Sequence, residues 1–174
     1  MKSSRGLTLL EVIILIALVG IFLALLFPQP SGIGAAHRAQ AKNDVTQIAT
    51  AVAAYETEYG RPLATKRGVV GGELLATLMG SNSRLNPRGL VFLEVNYVTN
   101  VGPSGMNTNG DFVDPWGERY RIAFATGTNN WVMAGTNSAK ISKRVAVWND
   151  PRLEVINASV DPKKLARHYV NSWE

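Results

Sequence analysis

One carboxylate, Glu11, stands at the entrance of a long apolar run, and its placement asks for a chemical reason. Residues 12–27 follow it, sixteen in all, with Gly20 the only non-hydrophobic member. On insertion scales an acidic residue at the centre of a membrane helix costs about 2.5–3.5 kcal/mol. A carboxylate at the threshold of such a helix therefore needs either the polar interface or a cationic partner. Before it run Met1-Lys2-Ser3-Ser4-Arg5, short and positive, and then Gly6-Leu7-Thr8-Leu9-Leu10. The chemistry on offer is charge neutralisation at a membrane boundary.

Elsewhere the residues that do chemistry are sparse. Asp111, Asp114 and Glu118 are close enough in sequence to supply paired carboxylates, but Pro115 and Gly117 among them read as a turn, which predicts surface turn acids. There is no cysteine, and the two histidines, His37 and His168, lie far apart in sequence. No Gly-x-Ser-x-Gly and no phosphate-binding glycine loop occurs. No catalytic constellation emerges, and the chain is not expected to be an enzyme. His37, alone at the start of a helix, is expected to be a solvated surface residue.

The elements that hold these residues begin with the apolar segment. Residues 7–27 number 21, about 32 Å as a helix, enough for a hydrocarbon core of about 30 Å. Lys2 and Arg5 place the N-terminus in the cytoplasm, with the body outside the inner membrane. Residues 28–34, carrying Pro28 and Pro30 with Gly32 and Gly34, are expected to break or kink the helix. A stem helix over residues 35–60 follows, with Ala41, Val45, Ile48, Val52, Tyr55 and Tyr59 forming one apolar stripe. Arg38, Lys42, Asp44, Gln47, Glu56 and Glu58 are expected on its other faces.

The remaining 61–150 form the head. A short helix is predicted over residues 73–79 and an extended apolar segment over 90–95; residues 101–110 read as loop. Asp114-Pro115-Trp116-Gly117 has the composition of a type I turn. Tyr120, Ile122 and Phe124 then alternate with Arg119, Arg121 and Ala123, a half-buried strand. Residues 126–130 turn the chain into residues 131–134, an antiparallel hairpin, and residues 145–148 make a further strand. The fold class is α+β, a long N-terminal helix packed on a small antiparallel sheet. In the extension 151–174, Asp161 and Pro162 signal a helix start, with Leu165, Tyr169 and Trp173 on one face.

With 174 residues the chain supports one compact domain and a membrane element. Lacking cysteine, an exported head holds together by packing, hydrogen bonds or a metal. The 18 basic and 13 acidic residues give +5, and loss of Lys2 and Arg5 leaves 16 against 13, or +3. So modest a balance does not argue for nucleic acid as a partner.

The run Gly6-Leu7-Thr8-Leu9-Leu10-Glu11 closely resembles the processing site of type IV prepilins and type II secretion pseudopilins. The resemblance implies that a prepilin peptidase cuts between Gly6 and Leu7, removing residues 1–6, and that Leu7 is then N-methylated. It implies for Glu11 a role in filament assembly, and for Pro28 and Pro30 the bend of the stem. Leu7 stands where that family usually has Phe. Asp114-Pro115-Trp116-Gly117-Glu118-Arg119-Tyr120 resembles the Asp-Pro-Trp-Gly-x-x-Tyr segment of the major pseudopilin. The resemblance extends from Gly6 to about Asp150 and leaves the extension unexplained.

The implied function is a pseudopilus subunit of a type II secretion system, polymerising from the inner membrane to drive protein export. Partners would be other copies in a helical homopolymer, the peptidase, the inner-membrane assembly platform, minor pseudopilins and membrane lipid, with the head periplasmic. Major pseudopilins commonly bind calcium in an acidic C-terminal loop. Here residues 135–150 offer only Asn137, Ser138, Asn149 and Asp150, opposed by Lys140, Lys143 and Arg144. No cofactor is expected, Asn149 and Asp150 being the weak calcium candidates; Asn107, Asn109 and Asp111 read as a polar loop. The alternatives are a type IV pilin for adhesion, motility or DNA uptake, and a membrane-anchored periplasmic binding protein or enzyme. An ordinary secretory signal cleaved near Gly34-Ala35-Ala36 is a further option, disfavoured by the length of the apolar run.

Overall fold

The computed structural model describes residues 8–26, 31–63, 67–126, 129–135, 138–149 and 169–173. The architecture is mixed, helices with small antiparallel sheets. The chain divides into two compact units, Met1–Ala35 and Ala36–Glu174.

In the first unit, helix α1 (Leu9–Leu26) has 18 residues and is apolar on every face. Its side chains from Leu9 to Leu23 are exposed, Leu9 by 80% and Phe22 by 64%. Among the described residues no helix is long and apolar enough to cross a membrane. At 1.5 Å per residue α1 measures about 27 Å, against a hydrocarbon core of about 30 Å. Leu7 and Phe27, the ends of the 21-residue segment expected from the sequence, lie outside the described residues, as do Gly6, Pro28 and Pro30.

Helix α2 (Ser31–Tyr59) starts four residues before the expected Ala35, so Gly32, Ile33 and Gly34 are helical rather than part of a break. Each glycine costs about 1 kcal/mol relative to Ala, but extending an already nucleated helix adds a hydrogen bond per residue. In the second unit the predicted stripe is the core: Ala41, Val45, Ile48 and Val52 are fully buried and Tyr55 nearly so, with Tyr59 half-buried beside them. They share one cluster with Leu74, Leu75 and Leu78 of helix α3 (Gly72–Leu78) and with Tyr120, Ile122 and Val147.

Among the described residues this unit also holds three two-stranded antiparallel sheets. Strand β1 (Gly105–Met106) pairs with β2 (Phe112–Val113), β3 (Tyr120–Phe124) with β6 (Val145–Asn149), and β4 (Val132–Ala134) with β5 (Ala139–Ile141). The expected hairpin between residues 120–124 and 131–134 is therefore corrected: β3 takes β6, with Tyr120 opposite Asn149 and Phe124 opposite Val145. The reason lies in β6, where Ala146, Val147, Trp148 and Asn149 are all buried. Val147 faces the main cluster, while Ala146 and Trp148 join a second one with Val132 and Ala134. The backbone groups of so buried a strand must also be hydrogen-bonded along both edges, and β6 has β3 on one and Asn171, bridged to Trp148, on the other.

The extended apolar segment at residues 90–95 joins no sheet; Phe92 N and Leu93 N both donate to Leu78 O, fastening it to the end of α3. One further expectation changes. Residues 169–173 are not helical. They run beside β6, with Asn149 N donating to Val170 O and Ser172 N to Val147 O. Tyr169 and Trp173 still dock on the second cluster, as a shared apolar face requires, but from an extended backbone. Residues 150–168, including the predicted cap Asp161-Pro162, lie outside the described residues.

Candidate functional site

At the start of α1, Thr8 and Glu11 bind one another. Glu11 N donates to Thr8 Oγ1 at 3.3 Å, and Thr8 N donates to Glu11 Oε2 at 3.4 Å. This reciprocal pair is a capping box, which satisfies backbone donors that a helix start otherwise leaves open. The pattern Thr-x-x-Glu is visible in the sequence, though the expectation for Glu11 rested on the apolar run and the family resemblance, not on capping. A carboxylate in the first turn also favours the helix dipole. Glu11 thus stands at the helix entrance with its carboxylate turned back toward Thr8.

The Asp-Pro-Trp-Gly segment does form the predicted turn. Gly117 N donates to Asp114 O at 2.9 Å, and Gly117 takes a positive φ of 87°, a conformation glycine adopts without penalty. Asp114 organises it from inside: Oδ1 accepts from Trp116 N at 2.9 Å and Glu118 N at 2.8 Å, and Oδ2 accepts from Asn149 Nδ2 at 2.9 Å. Asn149 Oδ1 in turn accepts from Val170 N. One fully buried carboxylate therefore ties the turn to the end of β6 and, through Asn149, to the C-terminal segment. Trp116 leans from the turn against α2, its indole edge-on to His37 at 6.0 Å. His37 is half-buried by this contact, a correction to the solvated position expected.

The expectation of surface turn acids is overturned for two of three residues. Asp111 is 2% exposed and Asp114 fully buried. Asp111 Oδ1 lies 3.2 Å from Arg67 and Oδ2 3.5 Å from Arg119. Asn107 forms the loop before it, its Oδ1 accepting from Asn109 N and Asp111 N. That amide oxygen is directed at the backbone of its own loop, in keeping with the polar-loop reading.

Asp44 is a third buried acid, placed by the sequence on an outer face of the stem. Its carboxylate accepts from the Tyr120 hydroxyl at 2.8 Å. The spacing held a signal: Asp44 is three residues from Ala41 and four from Ile48, both in the stripe. Burial lifts Asp44 above the usual carboxylate range, opposed by hydrogen bonds from Ser104 and Tyr120. Burial, then the Asp44 charge, its hydrogen bond and the Asp114 charge push Tyr120 far above its ordinary value.

Of the two calcium candidates, Asn149 has its amide engaged on both atoms, and Asp150 lies outside the described residues. Among the described residues no group of three or more His, Asp or Glu side chains is gathered as a metal would need. Compared with protein-family models, with curated proteins and with solved structures, the chain matches none.

Proposed function

We propose that this chain is a structural subunit of a type IV pilin-like filament, of the kind that builds the pseudopilus of type II secretion. The observation that carries the reading is Glu11 in the first turn of a helix whose described apolar side chains are exposed. A helix apolar on all faces is stable only within lipid or among other helices. In the waiting subunit lipid covers residues 7–27 of the inner membrane span; in the filament neighbouring stems do. The single carboxylate at its head then meets the methylated, cationic amine of Leu7 on an adjacent copy. The head, with the stripe of α2 as its core, stands in the periplasm and takes no part in chemistry.

The test is the mature N-terminus. Mass spectrometry of the protein from its native membrane is expected to find N-methylated Leu7, and Gly6→Leu to leave residues 1–6 attached. A mature N-terminus near Ala35 would establish an ordinary secretory signal and end the proposal. Loss of export, as opposed to loss of motility, in a deletion strain separates a pseudopilus from a pilus.

A further inference from the structure

An open helical filament needs heterologous contacts, in which two different surfaces of the same chain complement each other. Two such surfaces occur on the second unit. The first is a groove of about 300 Å³ whose lining includes Thr46, Thr50, Ala51 and Ala54 of α2 and Leu93 and Glu94 of the segment beside it. Thr46 and Thr50 donate their hydroxyl protons to carbonyls of their own helix, Lys42 O and Thr46 O. The groove therefore has a largely apolar wall, with the Gln47 amide and the Glu94 carboxylate as its polar groups open to a partner. Glu94 is exposed at its rim and forms no ion pair among the described residues.

The second surface is the outer face of the β4–β5 hairpin. Val132 and Ala134 point inward to the second cluster, so Trp131 and Met133 point out, 37% and 53% exposed. Lys140, opposite Met133 in the register, lies with its ammonium 4.6 Å from the centroid of the Trp131 ring. The result is a knob with an apolar tip and a cation beside it, next to exposed Lys143 and Arg144. The floor of the groove belongs to the main cluster and the base of the knob to the other, so the two are separate surfaces.

We propose that the β4–β5 knob of one copy enters the groove between α2 and residues 92–94 of the next. Trp131 and Met133 cover the apolar wall while Lys140 faces Glu94. The assignment rests on the filament reading and names which faces of successive heads meet. Complementarity is twofold, apolar tip to apolar wall and cation to carboxylate. The aromatic and the methionine supply the kind of buried anchor on which interfaces depend, and the charges set the register.

The absence of cysteine makes a direct test possible. Full-length chain carrying both Ala54→Cys and Met133→Cys is oxidised in membranes of assembling cells. A ladder of disulfide-linked multimers is expected from the double variant, and a dimer when the two single variants are co-expressed. Filaments seen by microscopy without that ladder would overturn this contact and leave the filament reading standing; no filaments from the wild-type chain would remove both. A homodimer from Ala54→Cys alone, or its adduct with a protein of different mass, would give the groove another occupant and overturn the proposal. Glu94→Lys in the double-cysteine chain is expected to reduce the ladder severalfold and Lys140→Glu to restore it; failure of restoration would refute the charge pairing.

Discussion

The hydroxyl of Tyr120, first residue of β3, donates to the carboxylate of Asp44 on α2 at 2.8 Å, joining positions 76 apart in the sequence. Both groups are buried, so this contact fixes the sheet's place along the helix and carries a pH signature. Removing a hydrogen bond to a charged, buried acceptor costs about 1.5–3 kcal/mol. Tyr120→Phe is expected to lower stability by that amount in denaturant titration of the detergent-solubilised chain.

The same pair predicts how stability moves with pH. The folded-state value of Asp44 is raised, so the folded protein prefers the protonated acid. That preference contributes fully below the ordinary value of 3.8 and is lost as pH rises through the higher folded value. Asp44→Asn, which keeps an acceptor for Tyr120, is expected to match wild type in acid and to melt higher at neutral pH. Tyr120 is shifted upward as well, so its contribution is lost above its ordinary value of 10.0, where only the unfolded chain ionises. Parallel melting curves for wild type and Asp44→Asn from acid to neutral pH would contradict this account.

Asp114 is the acceptor on which the turn, β6 and the C-terminal segment converge. Asp114→Ala strands Trp116 N, Glu118 N and Asn149 Nδ2 together, and a loss of about 3–5 kcal/mol is expected from removing one side of a buried charged network. Asp114→Asn retains the acceptor for the two backbone donors but sets an amide NH₂ against that of Asn149, and an intermediate loss is expected. Hydrogen exchange reads the same event locally: Val170 and Asn149 amides lose protection first. Equal stability of Asp114→Ala and wild type would show that the network is incidental.

Gly71 gives a purely steric prediction. Its φ of −179° is extended backbone open to any residue. A Cβ there, however, would sit 2.2 Å from Asp111 Oδ1 and 2.9 Å from Asp111 Cα. Gly71→Ala must push Asp111 away from Arg67 and break the bridge between residues 71 and 111, at about 1–3 kcal/mol. Adding Asp111→Ala removes the contact with the carboxylate but not with Cα, so thermal melting is expected to recover only in part.

For Glu11 the capping box and the proposed assembly role separate by substitution. Glu11→Gln keeps an oxygen for Thr8 N but has no charge, whereas Glu11→Val has neither. At an effective dielectric of about 20, opposite charges about 4 Å apart attract by roughly 4 kcal/mol before desolvation. Leaving one partner of a buried pair alone costs about 3–5 kcal/mol. Both variants are expected to insert and to be cleaved, and both to fail in polymerisation scored by electron microscopy. Normal filaments from Glu11→Gln with none from Glu11→Val would make the cap, not the charge, the function of this residue.

Local periodicity determined much of this protein. The stripe from Ala41 to Tyr59, the short helix α3, the turn at Asp114 and the strand at Tyr120 follow from spacings and turn chemistry contained within a few residues. What tertiary structure alone decided is which distant segments meet. Whether β3 takes β4 or β6 depends on a strand buried on both faces, and a run such as Val145-Ala146-Val147-Trp148 does not name its neighbours. The polar residues Asp44, Asp111 and Asp114 read as surface because a charged side chain in isolation belongs in water. They are buried because Tyr120, Arg67, Arg119 and Asn149 arrive from 35 to 76 residues away, or across a loop, to satisfy them. The C-terminal residues carried the right apolar face in the wrong backbone: Tyr169 and Trp173 dock whether helical or extended, and the open edge of β6 selected the extended form.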